Sequence, residues 1–145
     1  LKWVQASSSH RQPTQAPAAL RSALSEAKHA TRVPRCGPEE WQVLAETHLR
    51  LAQLALPVRV KQQHVQDGVA ALQRALTLNP QLASGHFSLA QLYLQRAEGE
   101  QGAERREAGL QALAACQQAV RHDAGLSRRC AELQPRARQL AGEAP

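Results

Sequence analysis

Six histidines, three cysteines and two arginine pairs are the residues of this chain that could do chemistry. Histidine can move protons near neutral pH or bind a metal through a ring nitrogen. On a helix, such a site needs a second His, Cys, Asp or Glu three or four positions on. His10, His29 and His122 have no such neighbour, and His64 is likewise read as lacking a good ligand pair. The one weak cluster is Cys36 with Glu39. Cys36, Cys116 and Cys130 fit no zinc spacing, and no C-x-x-C occurs. An odd, widely spaced set implies reduced thiols and a cytoplasmic setting. Cys116 falls on an apolar stripe and is expected to act as a small buried hydrophobe.

No H-E-x-x-H, G-x-S-x-G, phosphate-binding loop or dinucleotide fingerprint is present. Neither a cofactor nor a metal is implied, and the chain is expected not to be an enzyme. Glu39-Glu40 and the Glu104/Glu107 pair read as helix-start charges and a solvated face. Arg105-Arg106 and Arg128-Arg129 could grip a phosphate or carboxylate bidentately. The plainer reading pairs them along the helix surface with Glu104, Glu107 and Glu132.

The elements that carry these residues recur at a period of 44 to 45. Trp41-Gln42-Val43-Leu44-Ala45 returns as His86-Phe87-Ser88-Leu89-Ala90, and Gly68-x3-Leu72-x2-Ala75 returns as Ala112-x3-Cys116-x2-Ala119. An earlier copy of the second run is Ala23-x3-Ala27-x2-Ala30. Small residues at fixed places in a helical pattern mark helices that approach closely, each unit burying its apolar face against its neighbours. Ala75 and Ala119 are therefore expected in the core.

Helix formers dominate the composition, and aromatic residues make up only 3% of the chain, which disfavours a β-sandwich or barrel. The net charge of +6 is unevenly spread. Residues 1–37 hold six basic side chains against Glu26 alone, while residues 38–145 hold twelve against eleven. The basic leader could touch nucleic acid, but a solvated linker is the simpler reading. No apolar run reaches the ~20 residues of a membrane span. With no Met and a first residue of Leu1, the chain is expected to be a piece of a longer polypeptide.

Residues 1–17, with Ser7-Ser8-Ser9, Pro13 and Pro17, read as a linker or tail. A single helical domain is expected over 18–145. It comprises a half repeat (18–37), two repeats (38–82 and 83–125) and a terminal helix (126–145). Pro38-Glu39-Glu40 is a helix start, because Pro suits the first turn and acids suit the positive dipole end. Asn79-Pro80 is a stop, because the residue before Pro is pushed out of the α region. Gly99 and Gly102 break the next connection. Leu110, Leu113, Cys116 and Ala119 are expected to face inward, and Pro135 to kink or shorten the last helix.

These residues resemble tetratricopeptide repeats, whose helical hairpin carries W-x2-L-G-x2-Y followed by A-x3-F-x2-A-x4-P. Trp41-x2-Leu44-Ala45-x2-His48 and His86-x2-Leu89-Ala90-x2-Tyr93 stand in the first-helix pattern, so His48 and His86 occupy aromatic packing positions. Ala71-Leu72-Gln73-Arg74-Ala75-Leu76-Thr77-Leu78-Asn79-Pro80 is close to the second-helix ending. The likeness covers roughly residues 18–140, with each repeat about ten residues longer than the usual 34. It implies an all-α, right-handed helical-hairpin array of about six helices.

It further implies a protein or peptide ligand in the concave face, at Gln42, Glu46, Leu49, Arg50, Phe87, Gln91, Leu94 and Gln95. Phe87 is either a groove anchor or an inter-repeat core residue. The Lys/Asn clamp with which part of the family holds chaperone tails is replaced by Gln42, Val43, Phe87 and Ser88. In composition the chain is also similar to the C-terminal repeat regions of bacterial serine/threonine kinases. The expectation is a scaffolding segment of a cytoplasmic bacterial signalling protein, with a nucleic-acid-associated basic module as the alternative.

Overall fold

The computed structural model describes the backbone of residues 2–54 and 56–142, and the side chains of residues 17–54 and 56–142. Six α-helices follow one another: α1 (Lys2–Thr31), α2 (Pro38–Ala52), α3 (Val58–Leu78), α4 (Ala83–Gly99), α5 (Gly102–His122) and α6 (Ser127–Leu140), with one 3-10 turn at Ala124–Leu126. No strand occurs among the described residues. None of their helices is long and apolar enough to cross a membrane.

Helix α1 begins at Lys2 and not near Ala18. The segment read as a linker is thus continuous with the first helix. Its alanines and glutamines favour that state, in spite of the two prolines.

Local chemistry sets the other ends. The Gly37 amide donates to Glu40 Oε2 at 2.7 Å, and Pro38 opens α2. Asn79 ends α3 in an extended conformation, and its Oδ1 accepts from the Gln81 amide at 3.1 Å. Gly102 takes a positive φ of 62°, a conformation that favours glycine at the start of α5. Asp123 Oδ1 accepts from the Gly125 amide at 2.9 Å and closes the turn into α6. Pro135 lies within α6, which neither ends nor shortens there.

Each helix packs on its sequence neighbour, most extensively in the α2–α3 and α4–α5 hairpins. Helix α2 also meets α4, and α4 meets α6. Both α3 and α5 run for 21 residues, and only Glu100 and Gln101 separate α4 from α5.

Ala75 and Ala119 are fully buried, as the small-residue register requires. Leu72, Leu92, Cys116 and Cys130 are the largest side chains wholly inside. On α5 the buried stripe is Ala108, Gly109, Ala112, Ala115, Cys116 and Ala119. Leu110 is 45% exposed, against the inward position expected of it. It stands two residues from Ala108, roughly half a turn round the helix, so it cannot share that face. The stripe is small because α6 comes close: a Cβ on Gly109 would lie 2.7 Å from the Ala141 nitrogen and 3.0 Å from the Ala137 oxygen.

Candidate functional site

A cavity of about 340 Å³ opens between α2, α4 and the start of α6. Glu46, Leu49 and Arg50 line it from α2, and Phe87 and Gln91 from α4. These five expected site residues are therefore brought to one place, because α2 and α4 lie side by side. Helix periodicity puts Glu46, Leu49 and Arg50 on one face of α2, and Phe87 and Gln91 on one face of α4.

Gln42 stands beside the cavity. Its Nε2 donates to Glu46 Oε1 and to Ser84 Oγ, both at 3.0 Å. Ser88 Oγ adds a third contact, donating to Glu46 Oε1 at 3.3 Å. The Glu46 carboxylate is thus tied by neutral donors from its own helix and from α4, not by a cation.

Leu94 packs in the core between helices. Gln95 faces elsewhere. It lines a separate cavity of about 450 Å³ between α3 and α4, with Val58, Gln62, Val65, Val69 and Glu98. The structure therefore does not bring Gln95 to the cavity that the other expected site residues line.

Phe87 is 6% exposed and belongs to the hydrophobic core. Its outer face is covered by Arg129 of α6, whose guanidinium carbon sits 4.6 Å from the ring centroid. Ring and cation attract through the ring quadrupole. Arg129 and Leu126 complete the cavity wall. Arg129 is visible in the sequence only as half of an arginine pair, and nothing in local spacing ties it to Phe87, forty-two residues earlier. The ion pair expected between Arg128-Arg129 and Glu132 does not form. Among the described residues the only ion pair joins Arg136 to Glu98, at 2.7 Å, across α6 and α4. The Arg136 hydrogen bonds hold the Glu98 carboxyl below the usual carboxylate range.

Four of the histidines sit apart from this cavity in two pairs. His48 of α2 is 3% exposed, and its Nδ1 lies 3.0 Å from Nδ1 of His64 on α3. The ring centroids are 5.2 Å apart, close to that separation plus one ring radius from each side, so the nitrogens face head on. One of them must donate and the other accept. Burial pushes the His48 pKa down to about 4, opposed by Asp67 and reinforced by His64 and Lys28. Burial lowers His64 as well. Asp67 stands three residues after His64 on the same helix, a neighbour that the sequence reading passed over. No group of three or more potential metal ligands occurs among the described residues. His86 stacks on His122 at 5.5 Å and contacts the Pro80 carbonyl at 2.9 Å.

Cys116 and Cys130 are both fully buried, and Cys130 Sγ donates to the Cys116 carbonyl at 3.7 Å. Burial pushes the Cys116 thiol up to about 12. That keeps it in the unreactive thiol form.

In comparisons with known proteins, the chain matches no family model, no curated protein and no solved structure.

Proposed function

We propose that this chain is a non-catalytic interaction module, built as a tetratricopeptide-like right-handed array. Its concave face would be the cavity between α2, α4 and α6, and its ligand a peptide or protein segment. The observation that carries the reading is the convergence of Glu46, Arg50, Phe87 and Gln91 on one solvent-open cavity. An apolar floor at Leu49 and Phe87, ringed by amides, hydroxyls and charges, suits an extended peptide, whose backbone needs donors and acceptors and whose side chains need depressions. Placement within a larger cytoplasmic bacterial signalling protein rests on resemblance in composition alone.

The test is selection of random peptides displayed against the protein, followed by titration of the selected sequences on the Gln91→Trp variant. Gln91 lines the cavity and is only half-buried, so Trp fills the cavity while the fold persists. Affinity should fall by about tenfold or more, since a central interface position costs about 1.4 kcal/mol or more. Unchanged affinity for every selected peptide, with an unchanged melting temperature, would refute the reading.

A further inference from the structure

Two cations line the cavity between α2, α4 and α6, and neither has an acidic partner among the described residues. Arg50 stands exposed in the last turn of α2. Arg129 projects from the first turn of α6, and its guanidinium carbon lies over the Phe87 ring, 4.6 Å from the centroid. Among the described residues, only Arg136 and Glu98 come within ion-pair distance of each other, so both cavity arginines are unpaired. The one acid in the wall, Glu46, already accepts from Gln42 and Ser88 on one oxygen. The cavity wall is therefore net positive, with two guanidinium groups against one engaged carboxylate.

The contact with Phe87 matters for what Arg129 can do. A guanidinium that sits over an aromatic ring gives none of its N–H donors to a competing acceptor there. The contact with Phe87 restrains the side chain before any ligand arrives, so less side-chain freedom is lost on binding. A planar fork of donors matches a carboxylate, which it can hold through two parallel hydrogen bonds. Gln53, Ser84 and Gln91 line the same cavity and offer neutral partners for a peptide backbone.

We propose that this cavity is a docking site for an acidic peptide segment, whose carboxylates are held by Arg129 and Arg50. The inference rests on the interaction-module reading and specifies the charge of the partner. The fork on the ring selects acid side chains or a free C-terminus, and Glu46 repels acids from its own end and so sets the segment's direction. The basic residues elsewhere on the chain contribute a diffuse attraction only.

The test uses the same selection of random displayed peptides, carried out on the wild-type chain and on the Arg50→Gln/Arg129→Gln double variant. Both arginines are exposed, so the variant folds, which a melting curve checks. Peptides selected on the wild type should be enriched in Asp and Glu over the starting library, and that enrichment should vanish on the double variant. In fluorescence anisotropy, a selected acidic peptide should lose about tenfold in affinity with Arg129→Gln, the scale of one charge-assisted hydrogen bond. Arg121→Gln and Arg138→Gln, which lie outside the cavity lining, should leave it unchanged. Acid enrichment that survives in the double variant overturns the proposal in favour of non-specific charge. Selected peptides without acid enrichment that still lose binding with Gln91→Trp overturn it too, while leaving the groove reading intact. If selection yields no peptide, both fail. A labelled oligonucleotide that binds more tightly than any peptide, with the same dependence on Arg50 and Arg129, overturns it in favour of a nucleic acid.

Discussion

Acid should unlock the α2–α3 hairpin through His48. This ring is 3% exposed, and its pKa is lowered from 6.5 to about 4. The charged and titratable groups around it are Lys28 from α1 and His64 and Asp67 from α3, while α4 presents Leu92 near the hairpin at Gly68. In the unfolded chain His48 titrates near its ordinary value. Above that value both states hold it neutral and stability is complete. As pH falls below it, the unfolded state takes up the proton first, and folding stability declines until the folded pKa is reached. At about 1.4 kcal/mol per pH unit, the loss reaches about 2 kcal/mol by pH 5 and about 3 kcal/mol in all. That is a large share of the 5–15 kcal/mol typical of a domain. The head-on contact explains why the penalty is hard to escape, because two protonated nitrogens cannot face each other at 3.0 Å. His64 shifts in the same direction and adds to the loss. The assay is urea denaturation followed by far-UV circular dichroism, from neutrality down to about pH 5. His48→Phe keeps an apolar ring in the site and removes the titrating group, so its stability should fall less over the same range. A wild-type midpoint that does not move above pH 5, or an equal fall in His48→Phe, would refute the reasoning.

Gly109→Ala should lower the melting temperature. A helix gains about 1 kcal/mol from the exchange, but the new Cβ meets Ala141 backbone at 2.7 Å, and forcing α5 and α6 apart costs about 1–3 kcal/mol. Gly68→Ala should cost less, since its new Cβ meets only the movable methyl groups of Leu92, at 3.0 and 3.1 Å, and His48 Cβ at 3.3 Å. A Gly109→Ala protein as stable as the parent would contradict the close α5–α6 approach. Phe87→Ala should lose about 3–5 kcal/mol in denaturant titration, as expected of a buried aromatic ring; an unchanged midpoint would place it in the groove instead. Alkylation of the native protein, read by mass spectrometry, should modify half-buried Cys36 while Cys116 and Cys130 react only after unfolding.

Much of the helical layout is legible in the sequence because its signals are local. Pro38 with Glu40, Asn79-Pro80 and Gly102 each act on their own backbone, and the helices start or stop there. The burial of Ala75 and Ala119 is legible too, because a small residue repeated in register has one plain use, a close helix contact. The face shared by Glu46, Leu49 and Arg50 follows from helix periodicity. The remaining features depend on residues far apart in the chain. His48 meets His64 sixteen residues on only because α3 folds back along α2. Phe87 is closed off by Arg129 because α6 crosses α4 at that point, which decides that the ring is core and the guanidinium is wall. Gln95 turns to a different cavity and Leu110 to solvent because neighbouring helices cover only one side of each helix. Composition and spacing determine which residues can share a helix face. Only the packing of one helix on another determines what that face meets.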